Sequence, residues 1–396
     1  MDRATVGRNK KLSLIMYTLS AASSLAATGT LMQTFLATLG LSSGQIYIHA
    51  TATQAVNVLT LLLGSNRIRG ENAIRRYALA SVPYGLLFVA VLPFCLRQAP
   101  TAQTFLWLLL IGALQAAAIG MRTVSSYILP YLLYPAEDYG PVQSASGILS
   151  SVFSLGLGAL VSLLARKMDF PVLMGWSCGI SAALTLLEAV LVLRLRSIMG
   201  TGEPAPKAKK EAGSLKQTFC HPAFYTLALP SLLRGIASGT TTVFAAMAFD
   251  LGFDETLTAN LLYLNSAAGL LGCALIGILS RHISIRYPVL LGSLSFLLLP
   301  LFFSGKGGVF LAVATVVFFG RTLVDYGVPI LLRKAVPIGI AGPYNAWRMV
   351  LHTGGSLIAT SVAAVIPVQM LAGMTVLVSV LSGCGFFFSK AIRNAE

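Results

Sequence analysis

Twelve stretches of apolar residues, most of them long enough to cross a bilayer, leave this chain few folds to choose from. They fall near 12–38, 45–64, 73–96, 104–133, 141–165, 171–193, 222–249, 257–280, 287–304, 308–332, 343–366 and 368–389. A helix needs about 20 mostly apolar residues to span the hydrocarbon core, because its backbone must satisfy its own hydrogen bonds there. The expected fold is therefore an all-α integral membrane protein of about twelve transmembrane helices. The segments lack the two-residue alternation of a membrane β-barrel. The first stretch is longer, and richer in Ser and Thr, than a cleavable signal peptide, and is read as a retained helix. Composition agrees: 396 residues that are 56% hydrophobic and 10% charged carry too little polar surface to solvate a globule of that size.

The basic residues set the expected topology. With an even helix count both termini share a side. On that side lie Arg3, Arg8, Lys10, Lys11, Arg67, Arg69, Arg75, Arg76, Arg194, Arg196, Lys207, Lys209, Lys210, Lys216, Arg281, Arg286, Arg333, Lys334, Lys390 and Arg393. The opposite loops hold only Arg97, Arg166, Lys167 and Lys306. By the positive-inside rule both termini are expected in the cytoplasm of a multi-pass cell-membrane protein. The net charge of +15 is then a topology signal dispersed over loops, and no nucleic-acid partner is expected.

The segment Arg194–His221 is the one long polar stretch, with Gly-Thr-Gly-Glu-Pro-Ala-Pro ahead of three lysines. It divides the chain into an N-terminal six-helix half, 1–195, a cytoplasmic linker, 196–221, and a C-terminal six-helix half, 222–396. Cys95, Cys178, Cys220, Cys273 and Cys384 show no CxxC spacing, so neither a disulfide framework nor a zinc site is indicated. No GxxxxGK[ST] loop is present, and His49, His221, His282 and His352 form no HExxH. No cofactor, metal or enzymatic activity is expected.

The two halves repeat one another. The sequence from Arg122 to Leu133 matches that from Arg321 to Leu332 at six positions with a constant offset: Arg122/Arg321, Thr123/Thr322, Tyr127/Tyr326, Pro130/Pro329, Leu132/Leu331 and Leu133/Leu332. A Gly-Pro follows in each, Gly140-Pro141 and Gly342-Pro343. Duplicated halves are common in secondary transporters, and Pro130 and Pro329 are candidate hinges within them.

With two six-helix halves, a long central loop and a basic loop after the second helix, the chain resembles the major facilitator superfamily over essentially its whole length. The loop after the second helix reads Gly64-Ser65-Asn66-Arg67-Ile68-Arg69-Gly70 and lacks the Asp of that family's pattern, and its counterpart Gly277-Ile278-Leu279-Ser280-Arg281-His282 places an Arg near the Asp position. Glu137 and Asp138 could replace that acid opposite Arg67, Arg69, Arg75 or Arg76. Solvated charge or helix capping accounts for them equally well. The resemblance implies alternating access and a small-molecule substrate.

Charge at membrane depth is costly, so each such residue needs a partner or a watery cavity. Arg122, Arg234 and Arg321 are candidate substrate ligands, because a guanidinium fork suits a carboxylate or phosphate. Arg321 and Asp325 stand at i, i+4 and can pair within one helix, whereas Ser126 occupies the matching place beside Arg122. Arg348 is close enough to its helix start to snorkel. Gln33, Gln54, Asn57 and Asn265 are uncharged cavity candidates, with interhelical packing the blander alternative. For proton coupling the candidates are Asp325, Glu188, His352 and His49, although Glu188 can also pair with Arg194 or Arg196.

The expectation is a secondary active transporter of a small solute, an organic or phosphorylated anion, coupled to a proton or sodium ion and working as a monomer in the lipid bilayer. The alternative is a proton-coupled efflux antiporter for drugs or sugars.

Overall fold

The computed structural model describes residues 3–27, 29–65, 72–96, 102–126, 129–165, 167–197, 222–279, 283–335 and 341–393. Most of the linker, and Arg67 and Arg69, lie outside the described residues. Among those described, regular structure is helical throughout.

The first half consists of α1 (Arg3–Ala27), α2 (Thr30–Thr38), α3 (Ser43–Ser65), α4 (Ala73–Val89), α5 (Leu92–Cys95), α6 (Ala102–Ser126), α7 (Leu129–Leu133), α8 (Ala136–Leu164) and α9 (Phe170–Val192). The second consists of α10 (Pro222–Thr242), α11 (Phe244–Asp250), α12 (Glu255–Leu279), α13 (Arg286–Leu294) with a 3-10 continuation to Ser304, α14 (Gly307–Ala335), α15 (Ala341–Ala363), α16 (Val368–Phe388) and α17 (Lys390–Arg393).

Each of the twelve apolar stretches coincides with one helix or a broken pair. Nine helices among the described residues are long and apolar enough to cross a membrane, and a tenth span forms if α10 and α11, bent by 52°, are counted together. The two that fall short are the α1–α2 pair and α15. Both face protein on several sides, α1 against α8 and α9, and α15 against α10 and α3. They can therefore carry polar side chains such as Asn9, Ser13 and Ser23, or Arg348, Thr353 and Ser356, which are buried.

The repeat seen in sequence is a repeat in packing. In the first half α1 packs on α8 and α9, α4 on α6 and α9, and α3 on α6. In the second α10 packs on α15 and α16, α13 on α14 and α16, and α12 on α14. These pairings correspond one to one. The halves then meet reciprocally, α3 against α15 and α8 against α12.

The α10–α15 crossing is close, for a reason legible in the residues. A Cβ at Gly235 would run into the backbone carbonyl of His352, and one at Gly355 into that of Leu232. Glycine on both helices lets the backbones approach, which is how helices associate where lipid offers no hydrophobic drive. Pro329 lies inside the continuous α14, and Pro130 lies in α7; residues 127 and 128, between α6 and α7, are outside those described.

Candidate functional site

Both repeat arginines are held by carboxylates, in opposite ways. Arg122 on α6 is 5% exposed and donates from Nη2 to Glu188 Oε2 on α9 at 2.6 Å, with Ser20 Oγ of α1 at 2.9 Å. The Tyr77 hydroxyl donates to the other carboxylate oxygen of Glu188 at 2.5 Å. The guanidinium carbon lies 5.1 Å from the ring centroid of Tyr77 and 4.9 Å from that of Tyr84. Tyr77 and Tyr84 are seven residues apart on α4 and so share one face, and both are buried. Four helices thus close around one ion pair. Glu188 therefore meets Arg122, and not Arg194 or Arg196. The tyrosine clamp escaped the sequence reading, though the two-turn spacing was its available signal.

Arg321 stands at the midpoint of α14. Its Nε donates to Asp325 Oδ2 at 3.3 Å and its Nη1 to Thr241 Oγ1 of α10 at 2.8 Å. Arg234, on α10, pairs with the other Asp325 oxygen. Two arginines from different helices therefore share one carboxylate. The side chains of Arg321 and Asp325 remain 30% and 31% open, which at mid-helix depth means that they border an internal space. A small cavity of about 20 Å³ lies there, lined by Arg234, Ser238, Ser293, Arg321, Asp325 and Ser379 among others. That is room for about one water molecule. His352, on α15, lies within electrostatic reach of this cluster, and Arg348, one turn before it, within reach of His352. Among the described residues Arg234 Nε and His352 Nδ1 are buried without a hydrogen-bond partner.

The remaining candidates lie elsewhere. Gln33 donates to the Thr242 carbonyl and so joins α2 to α10. Asn57 turns toward Gly120 of α6, with its buried Oδ1 unpaired among the described residues. His49 presses on Gly112 of α6. Gln54 is half-buried on α3 and Asn265 half-buried on α12. Asp138 pairs with Lys10 at 2.6 Å, within the first half. The side chain of Glu137 lies outside the described residues.

A further contact set was not anticipated. At the end away from the termini, the Tyr47 hydroxyl donates to Asp250 Oδ2 at 2.7 Å, Ser162 Oγ donates to Asn260 Oδ1 at 2.7 Å, and Thr34 and Thr258 meet at 3.3 Å. Each joins the two halves. Nearer the termini, Leu61, Val124 and Val350 make an apolar contact across them.

The family model of the Major Facilitator Superfamily matches residues 14–360. The chain belongs to that superfamily. Solved superfamily-like folds superpose along its whole length. A D-xylose-proton symporter is 13% identical, with 97% of this chain and 98% of that one covered at a TM-score of 0.71. A bacterial homologue of the iron transporter ferroportin, in an outward-facing state, is 15% identical, with 96% and 98% covered at 0.67. The nucleoside transporter NupG is 16% identical, fully covered on both sides at 0.59. None of the curated proteins matches in sequence. At these identities the likeness is one of fold. As a superfamily member the chain is a multi-pass membrane transporter. Among the described residues no group of three or more His, Cys, Asp or Glu side chains is placed to hold a metal ion.

Proposed function

We propose that this superfamily member is a secondary transporter that moves a small organic or phosphorylated anion by alternating access, and that Arg234 and Arg321 hold the anion. The observation that carries this reading is the shared carboxylate. Arg234 and Arg321 gather around a single acid, Asp325, so the cluster carries excess positive charge at membrane depth. Such an excess is costly unless an anion joins it. Arg234 Nε is already buried and unpaired among the described residues.

In this reading Asp325 is the resident counter-ion. An incoming carboxylate or phosphate takes the guanidinium forks, and Asp325 is released toward the cavity, where it can take up a coupling proton with His352 beside it. A coupling sodium ion would instead need further oxygen ligands around the freed carboxylate. Arg122 has no such opening, since Glu188, Ser20 and the two tyrosines enclose it, so it pins α1, α4, α6 and α9 together. The twenty basic residues on the termini side support a cytoplasmic location for both termini, and the reciprocal packing supports two halves joined by the segment 196–221.

A second reading, a proton-coupled antiporter for cationic drugs or for sugars, draws on the partly open Asp325, which is the acid such a cargo requires, and on the sugar-symporter fold. Thermal stabilisation of the purified protein by a panel of anions, sugars and cationic drugs, repeated on Arg321→Gln, separates the two. Stabilisation by an anion that disappears in the variant supports the anion. Stabilisation by neutral or cationic compounds that persists would sink it.

A further inference from the structure

A groove of about 900 Å³ runs along the outer surface of the first half, away from the arginine cluster. Leu63 of α3, Leu79 and Leu86 of α4, and Leu114 of α6 line it, and each is about half exposed or more. Large apolar side chains left open at mid-span face lipid. Ala117 and Ala118 of α6 form a floor with no bulk to fill the space. From Arg76 to Leu87 the wall on α4 extends about 16 Å at the helical rise, roughly half the hydrocarbon core. One leaflet's acyl chain matches that length.

The groove is not apolar throughout. Arg76 is the charged residue of its lining, and it stands one turn into α4, at the end of the groove nearest the chain termini. Arg75 adjoins it in sequence. A basic side chain at the mouth of a groove between membrane helices raises the local positive potential and favours an anionic headgroup. A guanidinium carries five N–H donors, so Arg76 can hold a phosphate alongside a protein neighbour.

We propose that this groove is a binding site for an anionic glycerophospholipid of the leaflet on the termini side, with its acyl chain along the α4 leucines and its phosphate on Arg76. The site is separate from the Arg234–Arg321 cluster and independent of what the protein carries. Any lipid would wet the leucines. Only the arginine end makes the site selective.

The test uses the full chain in a neutral maltoside detergent, read by thermal unfolding and by native mass spectrometry. Phosphatidylglycerol is expected to raise the unfolding temperature by on the order of 5 °C more than phosphatidylcholine and to be retained as a bound adduct. Arg76→Gln should remove that difference while leaving the response to phosphatidylcholine, and Arg76→Lys should restore part of it. Ala117→Phe, which fills the floor, should weaken retention of both lipids. Equal responses of the native chain to the two lipids would overturn the proposal, as would a preference for phosphatidylglycerol that survives Arg76→Gln. Glycerol phosphate, the headgroup chemistry without acyl chains, is expected to give no Arg76-dependent shift. Such a shift would assign the arginine to a soluble phosphate and overturn the lipid.

Discussion

Arg122 and Arg321 hold matching positions of the two repeats, on helices with matching neighbours, yet Arg122 is closed in by Glu188 at 2.6 Å while Arg321 shares Asp325 with Arg234. The two halves have the same scaffold and opposite electrostatics. In the first, one positive and one negative charge cancel inside a shell of tyrosine. In the second, the positive charge is in excess and borders an internal space.

The sealed pair should behave as structure. Arg122→Gln or Glu188→Gln alone leaves a buried partner uncompensated and should cost about 3 to 5 kcal/mol of stability. The double variant should cost less than the sum, because neither charge is then stranded. Thermal unfolding of the four proteins in detergent gives the coupling. An additive result would mean that the two residues do not depend on each other.

The open cluster should behave as a binding site. Losing a charged hydrogen bond costs about 1.5 to 3 kcal/mol, so Arg234→Gln and Arg321→Gln should each weaken anion affinity by roughly 10- to 100-fold. Asp325→Asn should instead hold or raise affinity, since the competing carboxylate is gone, while uptake driven by a proton gradient falls. Binding isotherms and uptake in proteoliposomes, run on the same preparations, check both halves of the expectation.

Tyr47 and Asp250 should hold the halves closed at the end away from the termini. Tyr47→Phe removes one hydrogen bond to a carboxylate, worth about 1.5 to 3 kcal/mol, and should raise the open population roughly 10- to 100-fold. Thr258, which meets Thr34 across the two halves at the same end, is buried. A Thr258→Cys probe, in a background without native cysteines, should therefore react faster with a membrane-impermeant maleimide when Tyr47 is Phe. Unchanged labelling would take the gate role away from this pair.

Backbone proximity at the α10–α15 crossing predicts a contrast between glycines. Gly235→Ala places a methyl against the His352 carbonyl and should destabilise by about 1 to 3 kcal/mol. Gly373→Ala, on α16, meets nothing within 4 Å and should be neutral or stabilising by about 0.5 to 1 kcal/mol. Unfolding temperatures of the two variants settle the comparison.

Much of the scaffold was legible in the sequence. Apolar length decides where helices cross a membrane, because each unsatisfied backbone group there costs several kcal/mol, so every one of the twelve stretches coincides with a helix. Two of them, α1–α2 and α15, carry enough polar side chains to fall below a simple apolar criterion, since protein and not lipid surrounds them. The i, i+4 spacing of Arg321 and Asp325 also reads directly as a contact, being a property of one helix.

The partners that lie across helices were not legible. Nothing in the order of residues places Glu188 beside Arg122, or Arg234 on the far oxygen of Asp325. Those meetings depend on which faces α4, α6 and α9, or α10 and α14, present when they pack. Sequence by itself determined where the apolar helical stretches lie and roughly where they end, and the presence of a repeat, because these follow from local burial in lipid and from periodicity. Tertiary structure alone decided which of the two repeated arginines is sealed and which remains open, because side chains dozens of residues apart become neighbours only through helix packing.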